Sequence, residues 1–166
     1  MNISEMKLRQ VAPFETNDEK ITKLLSFYLH YAPTIESKTA SNIDENKLKS
    51  NWIKFLENVK FSSFKIYNSN YKLTEEVFIK NKIGNQQTLN RKQISIVCKR
   101  KEKNEEDYQC VLRHIRNSIA HNSVYIVHAG NRKYVLFEDY NKNKKITARM
   151  LLSQSILSKL KNEIVR

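Results

Sequence analysis

Tyr108-Gln109-Cys110-Val111-Leu112-Arg113-His114-Ile115-Arg116-Asn117-Ser118-Ile119-Ala120-His121 is the stretch whose reading decides both fold and chemistry. Tyr108, Val111, Leu112, Ile115 and Ile119 recur at three- and four-residue steps, so they share one helical face. His114 and Asn117 fall roughly opposite that stripe, and Arg116 falls at its edge. Asn117 and His121, four apart, point the same way. Arg116 and His121 diverge by ~140° on an ideal helix. They converge only if the helix frays near Ala120 or a second copy of the chain supplies the facing pair. The site is therefore expected at a helix end or a subunit interface.

The residue types suit RNA cleavage without a metal. A histidine can take or give a proton near neutral pH. An arginine offers a rigid fork of donors to a phosphate that is gaining charge. Taken alone, an Arg and a His five residues apart are common, and a surface Arg with a capping His is the plain structural reading. Glu105, Glu106 and Asp107 read as first-turn charges of the motif helix, not as a metal-binding cluster.

Working outward, helical patterns fill the first three quarters of the chain. Asp18 to Ala32 carries Ile21, Leu24, Leu25, Tyr28 and Leu29 on one face and ends before Pro33. After a polar loop at Thr39 to Asn42, Asp44 to Phe61 places Leu48, Trp52, Phe55, Leu56 and Val59 at helical steps. Thr74 is a candidate cap, with Leu73 and Phe78 as a hydrophobic staple, and Gly84 a candidate stop. Ile94 to Lys103 reads as helical, leading into the motif helix from Glu105 to Ala120. The basic run Lys99-Arg100-Lys101-Glu102-Lys103 reads as a solvated face.

The pattern changes after His121. Ser123 to His128 and Lys133 to Glu138 read as a β-hairpin joined by Ala129-Gly130-Asn131-Arg132, with Gly130 supplying the turn. A polar basic loop at Asn141 to Lys145 and a short extended piece near Ile146 precede a last helix carrying Ile156, Leu157, Leu160 and Ile164. A hairpin is marginal alone and must pack on the helices.

The 166 residues, 40% hydrophobic, suit a single domain over 1–166 with a real core. A net charge of +13 favours phosphate-rich partners, although the excess of Lys, Asn and Ile also fits AT-rich coding. With no long apolar run and no signal-like start, the sequence leads to the expectation of a cytoplasmic protein, away from membranes. Cys98 and Cys110 are too few for a disulfide scaffold. Cys110 and His114 have ligand-like spacing, but with no matching second pair they read as a buried thiol and a surface imidazole, not a zinc site. With Gly84 and Gly130 as the two glycines, no phosphate-cradling glycine loop exists.

The segment Leu112 to Asn122 resembles the signature of the HEPN superfamily, an Arg, a polar residue and then a His after four to six intervening residues. Arg116, Asn117 and His121 match it position by position. The resemblance implies an all-α fold, a HEPN-like helical bundle with the β-hairpin inserted before the C-terminal helix. It implies a metal-independent endoribonuclease, a toxin or phage-defence effector, that needs no cofactor. In it His121 acts as general base or acid, Arg116 stabilises charge on phosphorus, and Asn117 orients one of them. Attack by the ribose 2′-hydroxyl would leave a 2′,3′-cyclic phosphate. RNA and a second copy of the chain are the implied partners, with an antitoxin or regulatory protein beside them. Arg113, His114, Arg132 and Lys133 are candidates for RNA contact. In toxins of HEPN–nucleotidyltransferase pairs the tyrosine modified by the partner follows the histidine by two residues. Ser123 stands there instead, with Tyr125 two further on, which argues against that form of control. The alternative is a non-catalytic HEPN module that binds nucleotide or RNA or serves dimerisation.

Overall fold

A computed structural model describes residues 11–13, 18–30, 45–84, 93–129 and 132–165. In chain order the elements are β1 (Val11–Pro13), α1 (Glu19–His30), α2 (Glu45–Glu57), β2 (Ser63–Tyr67), α3 (Glu75–Lys80), β3 (Ser95–Lys99), α4 (Asp107–Ala120), β4 (Val124–Ala129), β5 (Arg132–Tyr140), β6 (Ile146–Ser153) and α5 (Gln154–Ile164). The strands form one sheet in the order β1-β4-β5-β6-β3-β2. All neighbours are antiparallel except the β2–β3 pair. This corrects the all-α expectation: the fold is a mixed sheet clad with helices, and the hairpin is part of that sheet, not an insertion.

The correction has a physical cause in β3 and β6. Ser95 to Cys98 are buried on both faces, as are Thr147 to Ser153. A strand buried on both sides shows no alternation, and a short apolar run cannot be told from a helix by periodicity. Within Ile94 to Lys103, which reads as helical, Ser95–Lys99 is instead a strand whose β-branched Ile96 and Val97 suit a pleated surface. The piece near Ile146 is an eight-residue strand between β5 and β3.

Helical faces did follow their patterns. Ile21, Leu24, Leu25 and Tyr28 of α1, Leu48, Trp52 and Phe55 of α2, and Ile156, Leu157 and Leu160 of α5 are buried together with the stripe of α4. They cover one sheet face through Ile96, Val124, Val135, Phe137, Ala148, Met150 and Leu152. Tyr28 ties α1 to α5 by donating its hydroxyl to the Leu157 carbonyl at 2.5 Å. The other sheet face packs Val97 under α3 with Leu73, Val77, Phe78 and Ile83. There the buried Arg149 lies 4.1 Å from the Phe78 ring centre and donates to Glu138 at 2.9 Å, its cross-strand neighbour.

Thr74 stands at the N-cap of α3 without a side-chain capping bond, and that helix ends at Asn81, before Gly84. The helix end expected before Pro33, the Thr39 to Asn42 loop and the Gly130-Asn131 turn lie outside the described residues. No helix among the described residues is long and apolar enough to cross a membrane.

Candidate active site

The motif helix does not fray. α4 runs unbroken to Ala120, and His121 is its C-cap. Asn122 then turns left-handed at φ 56°, the Ser123 N–H donates to the Ser118 carbonyl at 2.8 Å, and the Asn122 N–H donates to Ile119 at 3.1 Å. This pair of bonds is the Schellman closure, made by an asparagine where glycine is commoner. It fixes His121 at the carbonyl end of the helix.

Asn117 and His121 share a cavity of about 380 Å³. Lys99, Arg100, Lys101 and Arg113 line it from β3, its following loop and α4, and Lys142 enters from the loop between β5 and β6. Asp139 is its one carboxylate, and that group is already engaged. His114 Nδ1 lies 2.7 Å from Asp139 Oδ2, and Asn117 donates Nδ2 to the same oxygen at 3.4 Å. The cavity thus presents an excess of cations with a histidine at its edge, which suits a phosphate.

The supporting layer beneath the cavity is polar and sealed. Arg113 donates Nε to Glu105 Oε2 at 2.6 Å and Nη2 to Glu105 Oε1 at 3.0 Å. Burial alone would raise the Glu105 pKa, but the Arg113 guanidinium and the Lys101 N–H hold it below the usual carboxylate value. His114 is 0% exposed, which overturns the surface imidazole expected from sequence. Burial disfavours its charged form, yet the Asp139 carboxylate and the Cys110 sulfur outweigh that and raise its pKa to about 9. Its Nε2 lies 2.7 Å from the Lys99 carbonyl. Cys110, buried as expected, is lowered to about 6, first by the Cys98 thiol and then by His114, against the opposing effect of burial. Cys98 is correspondingly raised well above its ordinary value by Cys110 and by burial. Cys98 thus joins the Cys110–His114 pair from β3, a third group that linear spacing did not reveal.

The sequence candidates are sorted by this geometry. Asn117, His121, His114 and Arg113 meet at the cavity, whereas Arg116 is half-buried on α4 and is not among the lining residues. Arg113 is committed to Glu105, so it shapes the wall more than it offers a free fork. Arg132 and Lys133 stand at the opposite end of β5, about 20 Å from Asp139 at the rise of a strand, and Lys133 pairs with Asp18 at 2.6 Å. Several lining residues escaped the sequence reading. Lys99, Arg100 and Lys101 read there as a solvated face, Lys142 as part of a polar loop, and Asp139 carries no signal at all. The basic run stands immediately before the motif helix, and that adjacency was the available clue.

A family model for HEPN pEK499 p136 matches residues 11–166. The chain belongs to this HEPN family. No curated protein and no solved structure matches it.

Proposed function

We propose that the chain is a HEPN endoribonuclease that cleaves RNA by 2′-hydroxyl attack, acting as a toxin or phage-defence effector. The observation that carries this reading is the meeting of His121 and Asn117 at a cavity walled by cations. A scissile phosphate fits among Lys99, Arg100, Lys101 and Lys142. His121 takes the proton from the 2′-hydroxyl or returns one to the 5′ oxygen. Asn117, held by Asp139, orients the reacting group. Bond formation from the 2′ oxygen to phosphorus and loss of the 5′ oxygen give a 2′,3′-cyclic phosphate and a 5′-hydroxyl.

Arg116 enters from a second copy in a two-fold dimer. Because α4 is intact through Ala120, fraying no longer offers a way to unite Arg116 with His121 in one chain. A symmetric pair repairs the divergence without distorting the helix. The second reading, a HEPN module that binds RNA without cutting it, is favoured by the position of Arg116 outside the cavity. Incubation of the purified protein with total RNA, followed by end-group analysis, separates the two. Cyclic phosphate ends support the nuclease, and intact RNA supports the binding module.

Binding itself is expected to be strongly salt-dependent in either case, since each phosphate neutralised releases condensed counterions. Replacing the exposed Lys142 by Ala in a His121→Ala background should weaken RNA binding across sequences and flatten the log–log salt slope by roughly 0.7 for a single strand. Fluorescence anisotropy over a salt series measures this. A slope unchanged by the substitution would remove Lys142 from the phosphate track.

A further inference from the structure

We propose that Cys98, Cys110 and His114 form a buried binding site for a thiophilic divalent cation of the zinc class. The ligand atoms of the three residues lie within 4.8 Å of one another, and all three residues are buried. Cys110 and His114 stand one turn apart on α4, and Cys98 reaches them from β3. In the sheet, Cys98, Ala148 and Asp139 lie side by side across β3, β6 and β5. The small Ala148 leaves room for the α4 side chains between its two neighbours.

Distances favour a metal over a disulfide. Two thiolates bound at ~2.3 Å to a tetrahedral zinc stand about 3.8 Å apart. The Cys98 and Cys110 sulfurs are 3.7 Å apart, far from the ~2.05 Å of a disulfide bond. Packed thiols alone could also approach this closely, but they would not require a carboxylate-backed histidine beside them. His114 has one: Nδ1 faces Asp139 Oδ2 at 2.7 Å, the arrangement that orients and strengthens a metal-ligating imidazole. The other nitrogen, Nε2, and the Cys110 sulfur converge on the Lys99 carbonyl at 2.7 and 3.5 Å. A cation would displace the Nε2 proton and take the Lys99 oxygen as its fourth donor. Arg113 is near, with Nη2 3.2 Å from His114 Nε2, but its charge is balanced by Glu105.

The cation would clamp β3 to α4 one turn before Arg116 and Asn117 and hold the cavity floor, with no part in the phosphate chemistry. The test therefore uses no RNA, and its outcome is independent of the nuclease reading. Reduced, chelator-stripped protein is titrated anaerobically with Co²⁺. The expected result is a thiolate-to-cobalt charge-transfer band with tetrahedral ligand-field bands, saturating at one ion per chain and displaced by Zn²⁺. Cys98→Ser and Cys110→Ser should each lose the band, and Asp139→Asn should weaken affinity by about 10–100-fold, as for other outer-shell partners. Wild-type protein that takes up no cobalt, or serine variants that bind as tightly as wild type, would overturn the site. Should the serine variants fail to fold, the wild-type melting temperature decides: saturating Zn²⁺ must raise it, and an unchanged value overturns the proposal.

Discussion

His121→Ala is expected to lower RNA cleavage by ~10²–10⁴, the range for removing a general acid–base group, while leaving the fold intact. His121 is exposed and follows the last residue of α4, and the bonds that close the helix run between backbone groups of Ser118, Ile119, Asn122 and Ser123. The substitution therefore removes an imidazole from the cavity without opening the core. Arg116→Lys should also be costly, because an ammonium cannot reproduce a forked contact with phosphate. Single-turnover cleavage of a labelled RNA measures both, with circular dichroism as the folding control. Cleavage by His121→Ala at the wild-type rate would mean that another group moves the proton, and His114, sealed between Asp139 and the Lys99 carbonyl, could not do so without rearrangement.

The second large effect concerns stability. Glu105→Ala should cost about 3–5 kcal/mol, the penalty for leaving one member of a buried ion pair behind. Glu105 is 3% exposed and Arg113 is 6% exposed, so solvent cannot replace the lost carboxylate without opening the structure. Against a typical domain stability of about 5–15 kcal/mol, that loss would leave a marginal protein. Replacing Arg113 by Met in the same chain should recover much of it, because the orphaned charge is gone. Urea denaturation of the single and double variants gives the coupling directly. A single-variant loss below ~1 kcal/mol, the scale of an exposed pair, would mean that Arg113 finds another carboxylate, with Asp139, whose charge already favours the guanidinium, the candidate.

Legibility of the sequence tracked asymmetry of burial. Helices α1, α2 and α5 each bury one stripe, so Leu24, Trp52 and Leu157 stood out at helical spacing. The β4–β5 hairpin was visible from its two β-rich segments around Gly130. Strands β3 and β6 were not, because both of their faces are covered and no alternation survives. β2 pairs in parallel with β3 across a separation of some thirty residues, a contact no local pattern announces. The site divides the same way. Asn117 and His121 were legible because one helical turn unites them. Asp139 was not, since a strand 25 residues downstream of His114 delivers it. Lys99 to Lys101 looked solvated because the run gave no sign that it closes a central strand beside the motif helix.

Mixing two inactive chains tests the central claim most directly. Arg116→Ala and His121→Ala proteins, co-expressed so that subunits exchange, form heterodimers in which one composite site keeps both Arg116 and His121. Random pairing then predicts recovery of about a quarter of wild-type cleavage, since half the dimers are mixed and half their sites are intact. Activity near that level, absent from either parent alone, is the expected result. Cleavage in the mixture no higher than in the parents, with heterodimers confirmed by mass spectrometry, would contradict a site shared between two chains.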